Sequence, residues 1–502
     1  MKFYLDNTNH NHVHYFEERS DRMSREIDEF LRTYTKAIEE STAAVFAGAG
    51  LSKPAGFVNW KELLRDIADE IGLDVDKETD LIGVAQYHVN ENGGNRGRIN
   101  QVLIEEFTKD TYVTENHKIL AKLPIRTFWT TNYDQLIEDS LKSEHKRSDA
   151  KITPENFATT MPNCDAVIYK MHGDITQAHQ AVLTKDDYEN YNLTRQIFTT
   201  ALQGDLVSKT FLFIGFSFDD PNLEYILSRI RILLGNNQRP HYCFMKKVQR
   251  SEYEKESDFL YAEIRQELKI KDLKRFNIKV LLVEEYSEIT DVLRVLEVKS
   301  KQKNIFISGS ASNYGDWGEK RSFEFASSLS KQLIRNGNNI VTGFGLGVGS
   351  CVLSGALEEI YKVRTKRVEE RLISKPFPQV AAAEVDLRKL WTIHRNNIID
   401  NIGISIFMFG NKINESNGEV LDAEGVIEEF NISVDKGSMP IPIGVTGFTS
   451  KKLWETVMGD FNKYIPDQKL EKYYRVIGND ECKDEEVIRN VIHIINHLKR
   501  SK

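Results

Sequence analysis

Apolar residues recur along this chain at two spacings. Over 23–38, Met23, Ile27, Phe30, Leu31, Tyr34 and Ile38 fall three or four apart with acidic residues on the other face, which predicts an amphipathic helix. AAVFAGAG at 43–50 is instead a continuous apolar run ending in glycine, the pattern of a buried strand entering a turn, and WKELLRDIADEIG at 60–72 returns to helical spacing. The order strand, loop, helix recurs at IRTFWTTNYD before QLIEDSL, at AVIYKMHGD, and at TFLFIGFSF before DPNLEYILSRIRILL. Such alternation predicts an α/β fold, a mostly parallel sheet with helices on both faces.

Near 298–303 the polar run VKSKQK interrupts the pattern, and NIFISGSA restarts it. A second alternating series follows in NIVTGFGLGVGS, CVLSGALEEIY, GISIFMFGNK and MPIPIGVTG. The expected organisation is an N-terminal arm over 1–21, a first domain over 22–298 and a second over 304–502, each with its own parallel sheet. The charged stretch YKVRTKRVEER at 361–371 reads as a solvated excursion. No repeat is evident at periods of 20–50 residues.

Composition narrows the classes. At 502 residues the chain exceeds what one core usually fills. A net charge of -8 argues against nucleic acid as the main partner, and no apolar run approaches a membrane span. MKFYLDNTNHNHVHYFEERS lacks the apolar core of a secretory signal, so a cytoplasmic protein is expected. Cys164, Cys243, Cys351 and Cys482 stand singly, without metal-binding spacing, and read as packing residues. His10, His12 and His14 read as part of a flexible arm rather than a metal tract.

Four polar clusters close predicted strands in the first half, and in an open α/β sheet such ends share one crevice. Gly48, Ala49, Gly50 and Ser52 form a glycine turn before a helix, which suits a pyrophosphate and equally suits a plain tight turn. Asn132 and Asp134 lie in TTNYD, His172 in KMHGD, and Ser217 and Asn222 in GFSFDDPN. In the second half, Ser308, Gly309 and Ser310 end one strand, and Gly343, Phe344, Gly345 and Gly347 lie in GFGLGVGS, readable as a phosphate cradle or as close helix–strand packing. Arg395 and Lys412 flank the strand GISIFMFG and read either as anion contacts or as surface charges.

GAGLS, TTNYD, HG and GFS occur in the order of the NAD site of the sirtuin family, and roughly residues 40–290 resemble that family. The resemblance implies a pyrophosphate loop at Gly48, Ala49, Gly50 and Ser52, nicotinamide-ribose contacts at Asn132 and Asp134, a catalytic base at His172, and adenosine-side contacts at Ser217 and Asn222. Three features depart from the deacylating sirtuins: their four-cysteine zinc module is absent, FVNW at 57–60 replaces their loop after GAGxS, and Thr131 stands where they have the Gln of T-Q-N. An acyl-lysine peptide then has no evident docking surface, and water becomes the expected acceptor, with no metal required. His172 suits the base because its unperturbed pKa lies near neutrality, and Asn132 suits orientation of a water or ribose hydroxyl. Asp134 either stabilises developing positive charge or anchors its loop.

Residues 304–502 resemble the SLOG nucleotide-binding fold, and the pair of domains resembles the ThsA-type effectors of Thoeris anti-phage systems, in FAGAGLS, WTTNYD, YKMHGD, GFSFDDPNL, GFGLGVGS, FGNKI and EFNIS among other stretches. What this implies is an NAD+ hydrolase that depletes NAD in defence, assembled as a homo-oligomer of four or more copies. It is switched on by a cyclic ADP-ribose isomer that a TIR-domain partner makes. Arg395, Lys412 and Glu429 match that family's ligand contacts, with the glycine loops around them. The rival readings are an NAD-dependent deacylase, a nucleotide sensor without turnover, and a phosphoribohydrolase in the second half, from whose G-G-x-G-T loop GFGLGVGS departs.

Overall fold

The computed structural model describes residues 25–218, 220–362, 368–378, 386–414 and 416–500. The arm over 1–21, Met23, Asp219 and part of the 361–371 stretch lie outside the described residues. The chain divides into two compact units, with the break between Glu297 and Val298.

In the first unit, strands β1 (Ala43–Ala47), β2 (Thr127–Thr130), β3 (Ser148–Lys151), β4 (Ala166–Lys170), β5 (Thr210–Ile214), β6 (His241–Lys246) and β7 (Ile278–Val283) form one seven-stranded sheet in the order β3-β4-β2-β1-β5-β6-β7. Every neighbouring pair is parallel. The central strands β1 and β5 are buried along their whole length, as their unbroken apolar runs AAVFA and TFLFI require. β3, the polar SDAK, lies at an edge and alternates in burial, which is why no apolar run announced it. The amphipathic pattern near the start becomes the helix Arg25–Glu39, with Ile27, Phe30, Leu31, Tyr34 and Ile38 on its buried face. The single helix expected over 60–72 is divided into Trp60–Leu63 and Arg65–Glu70, because Leu64 leaves helical geometry at φ -94 and ψ 4.

The second unit holds β8 (Asn304–Ser310), β9 (Asn339–Thr342), β10 (Leu372–Ser374), β11 (Ile404–Phe409) and β14 (Met439–Pro442) in a parallel sheet of order β10-β9-β8-β11-β14. β12 (Asn411–Ile413) and β13 (Val420–Asp422) form a small antiparallel pair. β14 carries Pro440 and Pro442 and lies at an edge, where a missing amide interrupts no ladder.

VKSKQK interrupts the apolar pattern within a helix: Ser287–Lys301 runs through most of it, with Lys299 and Lys301 in its last turn, where positive charge faces the carbonyl end. One expectation needs correction. The 361–371 stretch is not wholly solvated. Arg371 is buried, and its guanidinium donates to Ile334 O at 2.9 Å and to Asn338 O at 2.6 Å, satisfying carbonyls at the end of the helix Gly318–Arg335.

That helix packs on Gly349–Tyr361 through Gly355, where a Cβ would meet Ser327 O at 2.1 Å and Ser330 Oγ at 2.4 Å. Gly204, on the helix Gln196–Ser208, has nothing within 4 Å of the same atom. Gly355→Ala should therefore lower stability by ~1–3 kcal/mol through overpacking. Gly204→Ala should raise it by up to ~1 kcal/mol through helix propensity. Calorimetric unfolding of the two variants checks the opposite signs.

Candidate functional site

The registers of the first sheet set its crevice. Ala47 pairs with Thr130 and with Ile214, and Thr130 pairs with Lys170, so β1, β2, β4 and β5 end at one level. The strand order also reverses about β1, with β2 on one side and β5 on the other. The carboxyl ends beside such a reversal form a binding crevice, and the four polar clusters emerge there.

Gly48 N donates to Ile214 O and Gly50 N to Gly215 O, each at 2.9 Å. A Cβ on Gly48 would lie 2.4 Å from Gly215 O, and one on Gly215, at φ +65, would lie 2.1 Å from Leu51 N. These glycines let two backbones touch, and the Gly50 amide is committed to protein. Ala49 and Ser52 bound a single helical turn directly after. Asn132 ties the next loop to it: Nδ2 donates to Gly48 O at 3.1 Å and to Ser52 Oγ at 3.0 Å, while its backbone amide donates to Thr130 Oγ1 at 2.9 Å. Among the described residues none donates to Asn132 Oδ1, so this oxygen is the side chain's available acceptor.

His172 follows β4 at a sharp turn, with Gly173 at φ +92. The turn is closed by Lys170, fully buried, whose ammonium donates to Asp174 and to the carbonyl of Asp134 and lies 3.3 Å from Glu138. Burial would depress the Lys170 ammonium, but Glu138 and Asp174 outweigh it and hold the group above its ordinary value. Asp134 accepts from Leu136 N at 3.0 Å, a bond that anchors its own loop. Its other oxygen has no partner among the described residues.

His172 Nε2 lies 3.0 Å from Asp220 Oδ2, both side chains being buried, and Tyr188 meets the ring edge-on at 5.5 Å. Asp220 also accepts from Leu223 N at 2.9 Å, capping the helix Pro221–Leu234. Burial would raise the Asp220 carboxyl, but His172 and the amides of Leu223 and Asn222 hold it below the usual carboxylate range. Ser217 is exposed at this turn, and Asn222 Nδ2 is buried without a partner among the described residues. Asp220 was not singled out in the sequence; its only signal was an Asp-Pro pair at a predicted helix start.

In the second unit the order reverses about β8, between β9 and β11. A cavity of about 400 Å³ opens there, within the range of small-molecule sites. Ser308, Gly309, Ser310, Gly343, Gly345, Arg395, Lys412 and Glu429 line it, whereas Phe344 and Gly347 are not among its walls. A Cβ on Gly345 would lie 1.8 Å from Gly309 O, and one on Gly347 2.2 Å from Ala311 O. At both positions the backbones approach too closely for a side chain.

Arg395 is already paired. NH1 donates to Glu428 Oε2 at 2.6 Å, Nε lies 3.5 Å from Glu429 Oε1, and the guanidinium sits 5.0 Å from the Phe377 ring centroid. Ser308 Oγ donates to Glu429 Oε2 at 2.5 Å. Lys412, half exposed, lies 3.6 Å from Glu424. Phe377, Trp391 and Glu428 also line the cavity and escaped the sequence reading, because they sit on segments that carry no glycine motif.

Among the described residues no group of three or more His, Cys, Asp or Glu side chains is placed to hold a metal, and no helix is long and apolar enough to cross a membrane. The fold defines a class: a SIR2-like unit followed by a SLOG unit. Residues 126–268 match the SIR2-like domain, and residues 288–498 match the Sir2- and TIR-associating SLOG family. The chain is 48% identical over 479 residues to the NAD(+) hydrolase ThsA of Bacillus cereus (strain MSX-D12), covering 95% of this chain and 99% of that protein. It is 45% identical over 489 residues to the NAD(+) hydrolase ThsA of Cytobacillus dafuensis, covering 96% and 98%. A 219-residue stretch is 24% identical to defense-associated sirtuin 2 of Bacillus subtilis, covering 42% and 21%. The chain belongs to the ThsA family.

Burial pushes the Glu429 carboxyl up to about 6, against the opposing effects of Ser308 and Arg395. A carboxyl raised in the folded state disfavours folding once ionised, so its cost is absent below the unfolded pKa of about 4.5 and complete above about 6. At ~1.4 kcal/mol per pKa unit the cost is about 2 kcal/mol. The stability of Glu429→Gln relative to the parent should rise by that order across this window. Denaturant unfolding at pH 4 and pH 7 reads it, and a flat difference would refute the ionised, buried state.

Proposed function

We propose that this chain hydrolyses NAD+ to ADP-ribose and nicotinamide, and that a cyclic ADP-ribose isomer in the second-unit cavity switches the reaction on. The observation that carries the first half is the convergence of a buried imidazole, His172, and a buried amide, Asn132, at in-register strand ends beside the GAGLS turn. A purely structural crevice has no need of a histidine whose Nδ1 lacks a partner among the described residues.

The chemistry follows from the leaving group. Nicotinamide is bound to the sugar as a cation, so when the C–N bond breaks it departs neutral with the bonding pair, leaving an oxocarbenium-like ribose. A water oxygen then bonds to the sugar carbon and loses a proton to His172, and Asn132 Oδ1 orients that water or a ribose hydroxyl. Ser217, Asn222 and the GAGLS turn hold the rest of the dinucleotide, and Asp134 keeps the Asn132 loop in place. Ser52, Asn132 and His172 are 2%, 8% and 2% exposed, so the site is closed to bulk solvent. Such a closed arrangement suits an enzyme that works on demand.

The cavity in the second unit supports the switch. A ligand shifts an equilibrium only by binding one state more tightly. Arg395 is held by Glu428, so an incoming phosphate competes with an internal carboxylate and redirects a charge already in place. In this reading the activator is made by a TIR-domain partner, and the protein acts in the cytoplasm as a homo-oligomer that depletes NAD in anti-phage defence.

Purified protein should release nicotinamide from NAD+, with the rate raised by cyclic ADP-ribose isomers. His172→Ala and Asn132→Ala should each lower turnover by at least about 100-fold without loss of fold. Deacetylation of an acetyl-lysine peptide in step with NAD consumption would replace hydrolysis with acyl transfer. Arg395→Ala and Lys412→Ala in the full chain should abolish activation. Undiminished activation in both would remove the switch from this cavity.

A further inference from the structure

Asp220 uses its two oxygens differently. Oδ1 accepts from Leu223 N at 2.9 Å and so caps the helix Pro221–Leu234, while Oδ2 lies 3.0 Å from His172 Nε2. The carboxylate is thus a rigid bridge between a helix start after β5 and the histidine after β4. Asp220 and His172 have side-chain exposures of 8% and 2%, so neither water nor salt screens the contact appreciably. The ring N–H is not aligned with Oδ2, and neither ring nitrogen has an aligned hydrogen-bond partner among the described residues. Contacts of this kind in an unliganded site tighten when substrate binds.

We propose that Asp220 is the positioning residue of the His172 base, holding the ring by Nε2–H so that Nδ1 presents the lone pair that takes the proton from water. This rests on the hydrolase reading above. A small rotation of the ring aligns Nε2–H with Oδ2 and fixes the tautomer, because the nitrogen that donates to a carboxylate must carry the hydrogen. The ring becomes an imidazolium when the water proton arrives at Nδ1, and Asp220, remaining ionised, stabilises that cation. Other groups near the ring do not offer this. Tyr188 and Tyr191 meet it edge-on as phenols that burial holds above their usual range. Asp187 is engaged by Arg96 at 2.8 Å, and Arg195 donates to the carbonyls of Ile152 and Gln180. The arrangement also makes the base sensitive to the helix: any shift of the Pro221–Leu234 start carries Oδ2 with it.

Asp220→Asn and Asp220→Ser separate positioning from capping, since Asn and Ser cap about as well as Asp. In Asp220→Asn the cap oxygen is retained and the amide N–H₂ faces Nε2, which favours the opposite tautomer and removes the lone pair from Nδ1. Nicotinamide release is measured across pH with full-length protein, with and without cyclic ADP-ribose isomers, alongside melting temperatures. Both variants should fold like the parent and lose at least about tenfold in kcat while KM changes by less than about threefold. The acid limb of the pH profile should move to lower pH, because removing the carboxylate makes the imidazole harder to protonate. Unchanged kcat, or a lower kcat with the acid limb where the parent has it, would reduce Asp220 to a helix cap and overturn the proposal. A parent that releases no nicotinamide under any of these conditions would overturn the hydrolase reading itself, and the role of Asp220 with it.

Discussion

Two backbones at the carboxyl ends of β1 and β5 approach until no side chain fits between them, and the first unit's site depends on that approach. Gly48 and Gly50 lie so close to Gly215 that a Cβ on any of the three would lie within 3 Å of backbone atoms. With these loops locked, the Ser52 hydroxyl and the Gly48 carbonyl are fixed acceptors, and Asn132 can bind both. The glycines that look like a phosphate cradle in the sequence thus act first as a clasp between loops.

The polar groups of the crevice are arranged in pairs that fix one another. Lys170 is buried at the end of β4 because Asp174 and Glu138 meet it, and their charges keep it protonated against the cost of burial. Breaking one side of such a set leaves an uncompensated charge in the interior, so the turn carrying His172 has little freedom. Asp220 then approaches the imidazole from a different strand end. The second unit repeats the logic with different residues: Ser308 and Arg395 face a buried Glu429, and Glu428 accepts from one terminal nitrogen of the guanidinium. Both crevices lie where strand order reverses about a central strand, β1 in one sheet and β8 in the other. Parallel strands place their loop ends on one side there and leave a gap between diverging crossovers.

Much of this was legible in the linear chain. Unbroken apolar runs such as AAVFA and TFLFI, bounded by glycine, fit central strands of a covered sheet, whose two faces are both buried. Glycine or a polar cluster directly after each run marks a strand end, and the motifs around Asn132, His172 and Ser308 were visible on that ground; Arg395, on the helix Leu387–Ile399, was singled out by its charge and by the family resemblance. The family of the chain was legible as well, since its motifs keep their order across nearly the whole length. What failed were features whose pattern is weak at short range. SDAK is an edge strand with little apolar content. Arg371 is buried within a stretch that reads as solvated, because the carbonyls it satisfies belong to residues more than thirty positions away.

Sequence alone therefore determined the alternation of strands and helices, the two sheets, and the residue types available at each strand end, since these follow from local periodicity and turn chemistry. Only the tertiary structure decided which of those residues meet. Strand order and register are long-range quantities: they bring Ala47, Thr130, Lys170 and Ile214 to one level although 167 positions separate the first from the last. The same contacts bring Asp220 to His172, tie Asp134 Oδ1 to its own loop, and hold several of the glycines in close backbone contact. A side chain's neighbours across a parallel sheet depend on crossovers whose direction no local pattern encodes, and for that reason the chemistry of the site became specific only in the fold.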